Sequence, residues 1–133
     1  MLNRLTDALN FQTQALSLRA ERQRLLASNI ANADTPGYQA RDMDFAAALR
    51  QASGEVKVPA LATSSTSHLS PNLSARASAE LLYAAPSMTS LDRNTVDMDR
   101  ERASFADNAV KYEATLRFIN NGVSTLLTAI KGQ

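Results

Sequence analysis

The strongest constraint on this chain is a row of apolar residues near its carboxyl end. Met98, Phe105, Ala109, Tyr112, Leu116, Ile119, Val123, Leu126 and Ile130 follow one another in alternating steps of four and three, and only Arg102 interrupts them. An α-helix turns once in about 3.6 residues, so this repeat gathers them into one narrow stripe. That is the pattern of a coiled-coil seam rather than of a broad globular face. The spacing predicts a helix over 94–131, roughly 50 Å long at about 1.5 Å per residue. Asp97, or Asn94 and Thr95 just before it, can cap its start. Asp99 and Glu101 suit the positive end of the helix dipole, and Lys131 with Gly132 suits the other end.

A second, weaker stripe occupies residues 1–33. Leu2, Leu5, Leu9, Leu16, Leu26 and Ile30 keep the same period if Gln12, Arg19 and Gln23 fill the gaps. The polar break sits beside Glu21, Arg22 and Arg24, so the middle of this helix is expected to be wet or to face a polar partner. The ring of Pro36 pushes Thr35 out of the α region, which stops the helix near 32–34. Residues 34–93 hold all four prolines and a small-polar run at 62–68. They read as a loosely ordered connection containing a short helix at 43–52, a very short strand at 56–58 and a helical turn or two at 75–85.

Composition supports this division. Of the 133 residues 44% are hydrophobic, but 23 of them are Ala, Ile plus Val total 8, and there is no Trp. Helices tolerate that mixture and sheets do not favour it. The expected fold is therefore mainly α: one domain in which long N-terminal (1–33) and C-terminal (94–133) helices pair in a coiled-coil-like bundle around the connection at 34–93. With no Cys and one His, disulfides, thiol catalysis and Cys-based zinc sites are excluded. The formal charge is +1 and evenly spread, which argues against nucleic acid as a partner. No apolar run approaches the ~20 residues of a membrane span, so direct membrane insertion is not expected, and no cleaved signal peptide is evident.

Two helices alone leave much of both seams open. One solution is a subunit that is marginal by itself and stable once neighbours cover its ends; the other is a monomeric bundle that recruits 43–52 and 75–85 as further helices. The subunit is the favoured reading.

The most informative string is Ser28-Asn29-Ile30-Ala31-Asn32, followed by Thr35-Pro36-Gly37-Tyr38. Pro36 presets φ for the second position of a β-turn, and Gly37 can adopt the positive φ that type II requires at the third. Asn29 and Asn32 share a helix face and are placed to bond a neighbour's main chain; the plainer alternative is an ordinary helix end. The string resembles the amino-terminal signature of the bacterial flagellar rod and hook family of axial proteins. Gln39-Ala40-Arg41-Asp42-Met43-Asp44-Phe45 is similar to the continuation in one short proximal-rod branch of that family. Asn94-Thr95-Val96-Asp97-Met98-Asp99-Arg100-Glu101 resembles the same branch's junction before its last helix, and Asn108 with Tyr112 matches a recurring Asn-x-x-x-Tyr. The resemblance covers about 1–50 and 91–133.

The resemblance implies a structural component of the flagellar basal-body rod, with no enzymatic activity and no cofactor. The terminal helices would assemble into a tubular axle that crosses the periplasm and transmits torque. Implied partners are other copies of the chain, other rod proteins, the adaptor and ring proteins at the inner-membrane base, and the flagellar type III export apparatus, which needs no cleaved signal. The expected assembly residues are Leu5, Leu9, Leu16, Leu26, Asn29, Asn32, Pro36, Gly37, Tyr38, Phe105, Tyr112, Leu116, Ile119, Val123 and Leu126. A cytosolic helical binding module, such as a flagellar export chaperone, is the alternative.

Other constellations carry less. Asp42 with Asp44, and Asp97, Asp99 with Glu101, have the composition of cation or glycosidase sites but read as helix-start charges. Arg41 is a candidate for ion pairs between subunits with Asp42 or Asp44. His68, among Ser64, Ser65 and Ser67, lacks the glycines of a nucleophile elbow.

Overall fold

The computed structural model describes residues 2–54, 81–83 and 91–132. The expected strand at 56–58, the Ser/Thr run and His68 lie outside them. Two long helices dominate: α1 (Leu2–Ala31) and α3 (Met98–Lys131), joined in sequence by a strand β1 (Arg41–Met43), a short helix α2 (Phe45–Ala52) and a strand β2 (Leu81–Tyr83).

α1 and α3 run antiparallel. Asn29 lies opposite Glu101, Arg19 opposite Asn108, and Leu9 opposite Gly122. The helices therefore pair along most of their lengths, as the two stripes required. Local chemistry sets their ends. Asp97 accepts hydrogen bonds from the N–H groups of Asp99 and Arg100, closing the start of α3. At its far end Gly132 adopts φ +72° and returns its N–H to the Thr128 carbonyl at 3.0 Å.

α2 begins two residues later than the spacing suggests, because the Asp44 carboxylate accepts from Ala47 N–H at 3.0 Å and so caps the helix. It lays Ala48, Leu49 and Phe45 over Leu18 and Leu25 of α1, with Met43 beneath. The Arg19 guanidinium stacks 4.5 Å from the centroid of the Phe45 ring. Within the expected helical stretch at 75–85, residues 81–83 are instead extended. β2 pairs antiparallel with β1, Arg41 opposite Tyr83 and Met43 opposite Leu81. A three-residue strand shows no helical or alternating period of its own, so only its partner reveals it.

The core is thin. Among the described residues its buried apolar residues are Ala15, Leu18, Leu26, Ala40, Met43 and Ala48, half of them alanine, and Asn29, Asn94, Glu101, Asn108 and Thr115 are buried alongside.

Candidate assembly interface

The turn after α1 forms as its residues demand. Tyr38 N–H bonds the Thr35 carbonyl at 3.2 Å, and Gly37 sits at φ +73° with open space where a Cβ would be, so conformation rather than crowding requires the glycine. The run before α3 is bound onto this turn. Gly37 N–H donates to the Asp92 carbonyl, Thr95 N–H to the Tyr38 carbonyl, and Ala40 N–H to Thr95 Oγ1. Asn94, 6% exposed, places its amide nitrogen 3.0, 2.7 and 2.9 Å from the carbonyls of Asn32, Ala33 and Thr35. Those carbonyls lie just past the end of α1, and two of them accept from the turn as well, Asn32 from Thr35 N–H and Thr35 from Tyr38 N–H.

Asn29 is the second fastening. Its amide donates to the Arg41 carbonyl at 2.7 Å and to Glu101 Oε2 at 3.0 Å; its oxygen accepts from Arg41 N–H at 3.0 Å and from the Tyr38 hydroxyl at 3.3 Å. One side chain thus ties α1 to the turn, to β1 and to α3. Asn29 and Asn32, expected to reach a neighbour's main chain, both make hydrogen bonds within this chain. Asn29 is 1% exposed and its bonds stay within its own chain, while Asn32 donates back to the Ser28 carbonyl at 2.8 Å. Leu26, also 1% exposed, is likewise spent inside the fold. Asp42, a candidate with Arg41 for ion pairs between subunits, has an ion-pair partner within the chain. Arg22 grips Asp42 in a fork, Nε to Oδ1 at 2.9 Å and Nη2 to Oδ2 at 2.8 Å. Burial by itself pushes the Asp42 carboxyl up. The hydrogen bonds from Arg22 and Met43 N–H, with the charges of Arg22 and Arg100, outweigh that and hold it below the ordinary carboxylate range.

The seam itself is divided. The face of α3 laid on α1 contains Glu101, Asn108 and Thr115, all buried, and Gly122, where an added Cβ would come 2.9 Å from Leu9 Cδ2. Phe105, Tyr112, Leu116, Ile119 and Leu126 are half-buried beside that line, as are Leu5, Leu9 and Leu16 on α1. Val123 is 42% exposed, Leu127 51%, Ile130 73% and Phe118 64%; Phe11 of α1 is exposed as well. The polar break in α1 meets its polar partner: the Asn108 amide donates to the Arg19 carbonyl at 2.9 Å and to Gln23 Oε1 at 2.5 Å. On the flank, an open groove of about 430 Å³ is lined by Ala20, Ala27, Phe105, Ala109 and Tyr112, with Gln23 and Arg24 at its edge. Pro36 and Gly37 stand exposed at the turn, with Tyr38 half-buried.

Residues 9–39, α1 and its turn, match the family of flagella basal body rod proteins. Over the whole chain the likeness is closer. The flagellar basal body rod protein FlgB of Proteus mirabilis is 49% identical over 98% of both chains, that of Salmonella typhimurium 48% over 99% of both, and that of Escherichia coli 47% over 98% of both. The chain belongs to the FlgB family of flagellar basal-body rod proteins. As an FlgB-family member it is a structural rod component that associates with other parts of the flagellar basal body. No described helix is long and apolar enough to cross a membrane. Sequence reasoning missed Glu101 as a buried anchor and Arg22 as the partner of Asp42. The family motif around Asn94 was the only signal that singled out the clamp.

Proposed function

We infer that this chain builds the proximal rod by packing the open flanks of α1 and α3 against the terminal helices of neighbouring rod subunits. One observation carries the reading: α3 turns its polar and small residues toward α1 and leaves Val123, Leu127 and Ile130 uncovered among the described residues. That choice is unfavourable for a solitary particle and favourable for a part awaiting neighbours. Charge agrees with it. No charged residue occurs from 8 to 12 or in the facing stretch from 118 to 122, so this part of the hairpin buries without stranding an ion. Other copies of the chain and other rod proteins would occupy these flanks, with adaptor and ring proteins meeting the base of the assembly. Many interlocked seams sharing the load would transmit torque across the periplasm. A thin core with half-open seams also suits passage through the flagellar export channel without a cleaved signal. The relatives, rod proteins by name, lend no support to an export chaperone.

The test replaces Val123 and Ile130 by Asp. Both are exposed, so the purified variant should keep its helical circular dichroism, whereas cells carrying it should lose swimming and their basal bodies should lack rods. Swimming cells with intact rods would refute the packing.

A further inference from the structure

α3 carries two columns, each with the seven-residue spacing that lets it face a partner helix. Glu101, Asn108, Thr115 and Gly122 lie against α1. One position further on, Arg102, Ala109, Leu116, Val123 and Ile130 recur at the same interval and turn toward the flank. Hydrophobicity alone favours burying the second column. Asn108 opposes that. It is 1% exposed, its amide holds the Arg19 carbonyl and Gln23 Oε1, and Gln23 in turn donates to the Phe105 carbonyl at 3.4 Å. Yet Asn108 Oδ1 is buried with no hydrogen-bond partner among the described residues. An apolar side chain there would avoid the uncompensated oxygen, so maximal stability does not account for the asparagine. A buried asparagine in a helix seam is a means of selecting one alignment over its competitors at a cost in stability.

We propose that Asn108, held by Gln23 and the Arg19 carbonyl, sets the rotational phase of α3 on α1 and keeps Val123 and Ile130 of the second column facing outward. Turning α3 by part of a turn would hide that column against α1 and sink Asn108 and Gln23 apart from one another. The pair makes that rotation unfavourable. The purpose of the outward column rests on the rod-packing reading above; the phase itself is a property of the isolated chain.

The chain has no cysteine, so an introduced one is a unique reporter. In an otherwise parental protein, V123C should react rapidly with a maleimide, and L9C/G122C should close a disulfide while L9C/V123C does not. In the N108L/Q23L background both polar partners are gone together. The prediction is that V123C then labels several-fold more slowly and that cross-linking moves from L9C/G122C to L9C/V123C, with helical circular dichroism retained and a melting temperature no lower than the parent's. Unchanged labelling and an unchanged disulfide pattern would overturn the proposal. So would loss of the fold, which would make the pair a stability element. Rods that assemble normally with V123D would instead count against the packing reading and leave this measurement unaffected.

Discussion

Asn94 offers the sharpest test of how the end of α1 is sealed. Its NH2 group has two hydrogens to share among the carbonyls of Asn32, Ala33 and Thr35, and its oxygen accepts from Val96 N–H at 2.8 Å. That amounts to three hydrogen bonds made by a residue 6% exposed. At about 1 kcal/mol net for each, Asn94→Ala should cost about 3 kcal/mol. In a domain of this size that is a fall of roughly 10 °C in melting temperature. Asn94→Asp separates this argument from a simple loss of packing. The aspartate keeps the acceptor for Val96 but points an anionic oxygen, in place of a donor, at three carbonyl oxygens. It should therefore destabilise more than alanine, although it is the closer match in shape. The assay is thermal unfolding followed by circular dichroism at neutral pH for parent, N94A and N94D. An N94D protein that melts at or above N94A would refute the claim that donation to those carbonyls is what Asn94 contributes.

Three further outcomes follow from the same geometry. Gly37→Ala meets no steric obstacle but must hold φ +73°, so it should lower stability by roughly 1 kcal/mol in a denaturant titration. Asp42→Asn should lower stability at neutral pH by roughly 1–3 kcal/mol. The Asp42 carboxyl is held below its ordinary range, so its contribution is complete above the unfolded value of about 3.9 and is lost as pH falls through the lower folded value. The gap between parent and D42N should therefore close in acid, and urea midpoints measured from pH 7 down to pH 3 would show it. Asp97→Ala removes the acceptor for two N–H groups at the start of α3 and should cost about 1 kcal/mol, read from the thermal melt.

Much of this architecture was legible in the order of residues, and the boundary of legibility has physical causes. The period of the apolar residues located both long helices, and Pro36, Gly37, Asp97 and Gly132 marked turns and ends because each has a backbone or capping preference that acts locally. The polar gap at Arg19 and Gln23 announced a polar partner. It could not name Asn108, eighty-nine positions from Arg19, because periodicity reports which residues share a face and not what that face meets. For the same reason the rotation of α3 was unreadable. A buried Glu101 or Asn108 has the spacing of a solvated residue until its partner is known, so periodicity alone points to the apolar column as the contact line. The Arg22–Asp42 fork spans twenty residues and two elements, and the β1–β2 pair is too short to show a period. Asn29 and Asn32 stand out in the sequence as unusual; what the string does not encode is that the main chain bonded by Asn29 lies only 12 residues on, within the same molecule.

The clamp by Asn94 has a consequence for the order in which the molecule can take shape. The carbonyls around the end of the first helix are closed by a residue some sixty positions later. A polypeptide delivered amino end first therefore emerges with the turn after its leading helix unfastened, and only the arrival of the last third secures it. Contacts of such long sequence separation form slowly. The interval between delivery and closure thus follows from the 62 positions that separate Asn32 from Asn94.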